Sequence, residues 1–292
     1  MTIAVDELWR LTGPRPAVLL IGGYDGSGNY GDICLLEAAL SLMSTLAGEP
    51  LVLPVIERQY IGSHFDLRAR AAPNFGAACF LYYGGLESGL DLDTGLPTEL
   101  VPVPRPALSS SAIYFYGGGY LNEMWGPRKL AMASSVEEWI TSGPSGQPQP
   151  LVAFTGQQVS AGFGDDPEAA RWLRRASLFG VRDQQSAENV TGHFPELVAR
   201  SALVVAEDDA VGILGEIPAL SESVDAQPST WNDGFRVDLH ITGEGHVITD
   251  GDRVTRLVTD LLTAIQRETA VHVSVRLVVA YDDRRISERP FM

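Results

Sequence analysis

Short apolar runs alternate with stretches of helical periodicity along most of the chain. The run AVLLI at 17–21 predicts a buried parallel strand. Residues 33–47 carry leucine, alanine and methionine at helical spacing, which predicts a helix capped by Asp32 and ended by Gly48. Further strands are predicted at 51–55, 79–83, 113–116, 151–155, 177–183 and 202–208, and further helices at 59–71, up to Trp139, from Pro167 and after Asp183. This alternation predicts an α/β fold with a doubly wound parallel sheet.

The same pattern divides the chain into two lobes. Residues 1–215 are predicted to form the N-terminal lobe, 216–232 a linker and 233–292 a second α/β lobe. The second lobe is expected to be incomplete, because two strands (235–241 and 271–281) and one helix (252–268) cannot close a sheet. Two glycine- and proline-rich stretches are predicted to be irregular: a surface loop at 87–106 and a linker at 142–150.

Glycine-rich segments follow several of the predicted strands. The longest, GGYDGSGNYGD at 22–32, leads directly into a predicted helix. Backbone amides without side chains at a helix start bind phosphate or carboxylate groups well. Ligands of doubly wound sheets lie beyond the carboxyl ends of the strands, so these loops together indicate one cleft for an anionic small molecule. The structural alternative is that each glycine only permits a turn.

Four more specific motifs are either excluded or only weakly indicated. A P-loop is excluded, because its GxxxxGK[ST] segment needs a lysine at a fixed position and Lys129 is the one lysine of the chain. The segment GSGNYG at 26–31 nearly fits a dinucleotide site, but the next strand places its acidic residue, Glu57, rather late. The segment QVSAG at 158–162 lacks the first glycine of a hydrolase nucleophile elbow. In HITGEGH at 240–246, polar loop residues are a simpler reading than a metal site.

Charge and composition limit the classes of partner. The net charge of −16 disfavours nucleic acid and anionic lipid. No apolar run reaches the roughly 18 residues of a membrane span, and the N-terminus does not resemble a signal peptide. The two cysteines form no CxxC pair and indicate no disulfide framework, so a cytoplasmic location is predicted.

Taken in order, the loops resemble those of the polysaccharide pyruvyl transferase family. That family has a GxGNxGD loop entering a helix, a triple glycine after a central strand, a GQG-like turn and an RDxxS motif. The matching residues are Gly26, Gly28, Asn29, Gly31 and Asp32, then Glu37 on the helix, then Gly117, Gly118 and Gly119, then Gly156 and Gln157, and last Arg182, Asp183 and Ser186. Gln158 replaces the usual last glycine of the turn, and the pair Asp208–Asp209 resembles an aspartate near the end of the family's first lobe.

The resemblance implies a Rossmann-like lobe of a GT-B-like fold. It also implies transfer of a pyruvyl group from phosphoenolpyruvate to the hydroxyls of a sugar or glycan, giving a ketal. No cofactor and no metal are implied. Asp32, Glu37 and Arg182 are the catalytic candidates. The implied substrate-binding residues are Gly26, Gly28, Asn29, Tyr30, Gly31, Gly117, Gly118, Gly119, Gln157, Arg182, Asp183 and Ser186.

One departure from the family concerns the second lobe. Family members use an Arg-x-His element there, and this chain contains none. We therefore expect the chain to be shortened relative to the family and slow in pyruvyl transfer, with a homo-oligomer or the first lobe covering the second lobe. The alternatives are a nucleotide-sugar glycosyltransferase of the same fold and a non-catalytic binding relative.

Overall fold

Parallel strands form the centre of one large sheet in the first part of the chain. In chain order the strands are β1 (Ala17–Ile21), β2 (Leu51–Glu57), β3 (Leu81–Tyr83), β4 (Leu90–Asp93), β5 (Leu100–Val103), β6 (Ser110–Phe115), β7 (Gly118–Leu121), β8 (Leu151–Val159), β9 (Leu178–Val181) and β10 (Leu203–Val205). They are arranged in the order β10-β9-β8-β6-β1-β2-β3-β4-β5, with β7 pairing beside β8. All neighbouring pairs are parallel except β3–β4 and β4–β5.

This computed structural model describes part of the chain. The described residues are 17–26, 30–46, 50–68, 73–85, 90–93, 100–103, 110–141, 149–211, 234–240 and 272–278, with single positions at 256, 259, 260, 263, 264 and 267. The chain separates into two units, Met1–Glu216 and Ile217–Met292. The predicted linker at 142–150 lies mostly outside the described residues.

Helices cover both faces of the sheet. They are α1 (Tyr30–Ser44), α2 (Ile61–Arg68), α3 (Pro73–Ala77), α4 (Gly126–Thr141), α5 (Pro167–Arg175), α6 (Gln184–His193) and α7 (Pro195–Ala199), with 3-10 turns at Arg58–Tyr60 and Phe163–Asp165. Alternate residues of β1 point to opposite faces. Leu19 joins the core beneath α4 and α5, and Leu20 joins the core beneath α1 and α3. The doubly wound α/β architecture predicted from the sequence is therefore present in the first unit.

The prediction of a surface loop at 87–106 was wrong, because strands β4 and β5 lie within it. Leu90 and Leu92 are buried, and the intervening Asp91 forms an ion pair with Arg58 at 2.9 Å. The segment LDLD alternates with period two, as a half-buried strand does. Its shortness and the surrounding glycines and prolines hide that alternation in the sequence. The two strands extend the sheet in the antiparallel direction.

Several predicted boundaries also moved. Helix α1 begins at Tyr30, so Asp32 lies inside its first turn and does not precede it as a cap. The predicted helix at 59–71 is a 3-10 turn followed by α2, and the strand predicted from Cys79 begins at Leu81. On α5 the predicted inward residues Leu173 and Ala176 are buried, but Ala170 is only partly buried, and Ala169 and Trp172 complete the buried face. The residue predicted to end α1, Gly48, lies outside the described residues.

The second unit has a parallel pair of strands in its described part. Strands β11 (Gly234–His240) and β12 (His272–Val278) pair in register from Gly234 with His272 to His240 with Val278. The described positions between them along the chain, 256, 259, 260, 263, 264 and 267, are helical and lie within the helix predicted at 252–268. A parallel pair requires such a crossover connection. Across the described residues of both units, no helix is long and apolar enough to cross a membrane.

Candidate functional site

The order of the sheet reverses between β1 and β6. From β1 the chain proceeds through β2 and β3 on one side, and β6, β8, β9 and β10 follow on the other. Such a reversal leaves a crevice beyond the carboxyl ends of the two central strands, where doubly wound proteins bind ligands. The loop 22–32 follows β1, and the glycines 117–119 follow β6. The two strongest glycine motifs therefore flank this crevice.

In the loop after β1, two of the described glycines leave room for particular neighbours. A Cβ atom on Gly23 would lie 2.2 Å from Oδ1 of Asp32, so this carboxylate occupies the space beside the loop. Gly26 has φ +105°, and a Cβ atom there would lie 2.6 Å from Cβ of Tyr60. Only glycine fits that backbone and that contact. Gly28 and Asn29 lie outside the described residues, Tyr30 begins α1, with its side chain not described, and Gly31 is the next residue of the helix.

The triple glycine after β6 is held by a buried glutamine. The side-chain amide nitrogen of Gln157 lies 3.1 Å from the carbonyl oxygen of Phe115, 3.0 Å from that of Tyr116 and 2.8 Å from that of Thr155. These contacts fix the turn in which Gly117, Gly118 (φ +150°) and Gly119 follow the strand. The other amide atom of Gln157, Oε1, is buried and has no hydrogen-bond partner among the described residues.

The RDxxS motif forms part of the framework around the crevice. Arg182 pairs with Asp208 at 2.7 Å and also contacts Oε1 of Gln158, the residue that replaces a glycine of the family turn. Asp183 caps α6 by accepting from the backbone N–H of Ser186 at 2.7 Å, and this hydrogen bond lowers the pKa of Asp183. The hydroxyl oxygen of Ser186 accepts from the backbone N–H of Val159 at 3.0 Å. The motif thus ties β8, β9 and α6 together.

Glu37, a predicted catalytic candidate, has another role in the structure. Its buried carboxylate accepts from the backbone N–H groups of Asn74 at 3.1 Å and of Phe75 at 2.6 Å. These donors belong to the first turn of α3, whose N–H groups have no partner within the helix. Both carboxylate oxygens are therefore used to fix α3 against α1.

Asp209 is a central residue of the crevice that the predicted site did not include. Its Oδ2 accepts from the backbone N–H of Gly117 at 2.8 Å and from the hydroxyl of Thr155 at 2.6 Å. The hydroxyl of Thr155 lies 2.5 Å from that of Tyr114. Burial raises the pKa of Asp209, the hydrogen bonds from Thr155 and Gly117 oppose this rise, and the charge of Asp208 adds to it. The aspartate pair was noted in the sequence, but its contacts with β6 and β8 were not predictable.

Asp32 and Asp209 both act on the same buried tyrosine. Burial raises the pKa of Tyr120 well above its usual value, and the charges of Asp209 and Asp32 add to this rise, while the hydrogen bond with Gln157 lowers it. Tyr120 lies in β7, directly after the triple glycine, and donates to the carbonyl oxygen of Tyr116 at 2.9 Å. The loop after β1 and the segment after β10 therefore converge on the turn after β6.

Lys129 is a second residue that the predicted site did not include. It lies in the first turn of α4, it is buried, and its ammonium group has no hydrogen-bond partner among the described residues. Burial lowers the pKa of Lys129, and the charges of Asp25, Glu57 and Asp32 oppose this change. An unpaired buried ammonium is costly to a folded protein. The sequence singled out Lys129 only as the one lysine of the chain.

The structure gives no support to a hydrolase. Ser160 of the QVSAG segment donates to Glu123 at 2.7 Å, and Nε2 of His193 contacts the backbone oxygen of Ala161 at 2.9 Å. The serine and the histidine are therefore engaged elsewhere and not with one another. His240 lies in β11, and the rest of the HITGEGH segment, with His246, lies outside the described residues. Within the described ranges, no group of three or more metal-ligating side chains occurs.

Comparison with known proteins adds no family. The chain matches no protein-family model and no curated protein.

Proposed function

We propose that the chain is a pyruvyl transferase of the polysaccharide pyruvyl transferase type, with a GT-B-like fold. It would transfer the pyruvyl group of phosphoenolpyruvate to sugar hydroxyls and form a ketal. The observation that carries this proposal is the position of the motif loops. The GxGNxGD-like loop and the triple glycine follow the two strands between which the sheet order reverses. The GQG-like and RDxxS motifs fix the neighbouring strands of the same edge.

The charges of the crevice favour a sugar hydroxyl as one of the two substrates. Carboxylates of Asp32 and Asp209 border the turn after β6, and the guanidinium of Arg182 is already paired with Asp208. Carboxylates accept hydrogen bonds from hydroxyl groups but repel a phosphate. The donor, phosphoenolpyruvate, carries two anionic groups and needs amides and cations around its phosphate and carboxylate. We therefore assign the acceptor sugar to the side of the crevice formed by Asp209.

Thermal shift and phosphate release together test the proposal. The purified chain is incubated with phosphoenolpyruvate, with UDP- and GDP-sugars, and with a panel of sugar acceptors. A ligand that binds only the folded chain raises the melting temperature. We expect stabilisation by phosphoenolpyruvate and slow release of phosphate that requires an acceptor. Stabilisation by a nucleotide sugar alone would instead favour the glycosyltransferase alternative and contradict the proposal.

A further inference from the structure

Asp209 occupies a space that two glycines leave open. A Cβ atom on Gly117 would lie 3.0 Å from Oδ2 of Asp209, and one on Gly156 would lie 2.6 Å from Oδ1. Gly156 has φ +56°, a backbone that disfavours other residues. The ends of β6 and β8 therefore lack side chains at the positions where this carboxylate lies, between the triple glycine and the GQG-like turn.

The two oxygens of this carboxylate are used differently. Oδ2 accepts from the backbone N–H of Gly117 and from the hydroxyl of Thr155. Thr155 has one hydroxyl proton, and because it donates this proton to Asp209, the hydroxyl of Tyr114 must donate to Thr155. This chain of donors fixes the carboxylate. Oδ1 has no hydrogen-bond partner among the described residues, and the side chain is only partly buried.

The neighbouring Asp208 has no such spare oxygen. Its Oδ2 pairs with Arg182 at 2.7 Å, and its Oδ1 accepts from the backbone N–H of Ala210 at 3.0 Å. Oδ1 of Asp183 caps α6, and its Oδ2 lies 4.0 Å from Nε of Arg182 in an ion pair. Among these three aspartates at the ends of β9 and β10, Asp209 alone combines a fixed orientation with an oxygen that has no partner.

We propose that Asp209 binds the acceptor hydroxyl through Oδ1 and takes its proton as the general base of the transfer. This inference depends on the proposed function. The O–H bond of the sugar breaks, its proton moves to Oδ1, and the oxygen forms a bond to C2 of phosphoenolpyruvate. The double bond opens, and the methylene carbon takes one proton from water to become a methyl group. A second hydroxyl of the same sugar then loses its proton and bonds to C2, while the C2–O bond to the phosphate breaks and phosphate leaves with the electron pair. The two protons lost by the hydroxyls equal the one gained by the methyl group and the one gained by the solvent or phosphate, so the sum is a ketal and inorganic phosphate.

Three features of the site fit this role. A base works best when its pKa lies near the working pH, and burial raises the pKa of Asp209 in that direction. The donors on Oδ2 hold the carboxylate still, so its orientation does not have to be established during the reaction. The hydrogen bond from Thr155 also opposes the rise, so its removal should raise the pKa of Asp209 further.

The first experiment measures binding of the acceptor alone. Methyl glycosides of galactose, glucose, mannose and N-acetylmannosamine are titrated into the full chain and into the Asp209→Ala and Asp165→Asn variants. Asp165 is a charge control, because its carboxylate is 81% exposed on the Phe163–Asp165 turn. We expect Asp209→Ala to bind at least about tenfold more weakly, since it loses a hydrogen bond to a charged group. Asp165→Asn should bind as the unchanged chain does, and circular dichroism shows whether each variant is folded.

The second experiment measures phosphate release against pH. Asp209→Asn should lower kcat by about 100-fold or more, as expected for loss of a general base. Thr155→Val removes a hydrogen bond that lowers the pKa of Asp209, so the acidic limb of the pH profile should move to higher pH. Thr155→Ser keeps the hydroxyl, so its acidic limb should lie where that of the unchanged chain lies. A purely structural role for Thr155 would lower the rate without moving this limb.

The outcomes separate this inference from the proposed function. If the unchanged chain binds none of the glycosides, or Asp209→Ala binds them equally well, the assignment of Asp209 is overturned. An unmoved acidic limb in Thr155→Val overturns the proton transfer. If the glycosides bind but no phosphate is released, the proposed function and the proton transfer both fail, and the affinities alone decide whether Asp209 holds a hydroxyl.

Discussion

Replacing Gly156 by alanine should both destabilise the first unit and disrupt the crevice. Gly156 lies in β8 with φ +56°, and a Cβ atom there would lie 2.6 Å from Oδ1 and 3.0 Å from the backbone nitrogen of Asp209. Contacts this short are not tolerated, and the backbone nitrogen cannot rotate away as a side chain can. The segment carrying Asp209 must therefore move, and its hydrogen bonds with Gly117 and Thr155 break.

The size of the effect follows from these contacts. An alanine in the left-handed region costs about 1–2 kcal/mol. Each of the two hydrogen bonds to the carboxylate contributes about 1.5–3 kcal/mol. Because the side chain of Asp209 is partly exposed, water replaces some of the lost bonding, so we expect the lower end of the combined range, about 4 kcal/mol. That is a large part of the stability of an ordinary domain.

Urea unfolding followed by tryptophan fluorescence measures this loss. Gly192→Ala is the matched control, because Gly192 lies in α6 with nothing within 4 Å of its Cβ position and needs no positive φ. That variant should be neutral or stabilised by less than about 1 kcal/mol. The reasoning is refuted if Gly156→Ala loses less than about 1 kcal/mol and binds the glycosides unchanged.

Three further predictions concern buried charges. Glu37→Ala should lower the free energy of unfolding in urea by about 3 kcal/mol, because the backbone N–H groups of Asn74 and Phe75 lose their acceptor. The affinity for glycosides should not change. Glu137 forms an ion pair with Arg175. Glu137→Ala should lower the free energy of unfolding by about 2 kcal/mol, because the partly exposed Arg175 loses its partner and regains only some hydration. A change below about 0.5 kcal/mol would contradict this. Burial lowers the pKa of Lys129 in the folded chain. Between that lowered pKa and the unfolded value of about 10.4, the unfolded chain therefore binds more protons than the folded chain. The free energy of unfolding should rise with pH across this interval. Lys129→Met should abolish that rise in unfolding measured from neutral pH to about pH 10.

The local elements of the first unit were largely predictable from the sequence. The apolar run of β1, the glycine segment and the helical periodicity of α1 identified a strand, a loop and a helix, with an error of three residues at the helix start. The period-two alternation in β4 was too short to stand out among glycines and prolines, and it was missed. Periodicity needs several repeats before it separates a strand from a loop.

The partners of the site residues could not be predicted in the same way. Strand order is set by the packing of the whole sheet, and only this order places the turn after β6 beside the loop after β1. Arg182 was expected to act with Asp183, but its closer partner is Asp208, 26 residues away. The contact of Glu37 with the start of α3 joins residues 37 and 38 positions apart. A single sequence contains no signal for such distances.

Several motif residues of this chain have structural roles in the framework of the crevice. Gln157, Asp183 and Glu37 use polar side-chain atoms to hold backbone groups of the framework. Among the described residues, atoms with unused capacity include Oε1 of Gln157, Oδ1 of Asp209 and the ammonium of Lys129, and the last two belong to residues that the predicted site did not include. A ligand can bind only where bonding capacity is left over, since an occupied carboxylate or amide would have to give up a partner first. The motifs therefore shape the crevice, and the reaction is to be sought at the residues they surround.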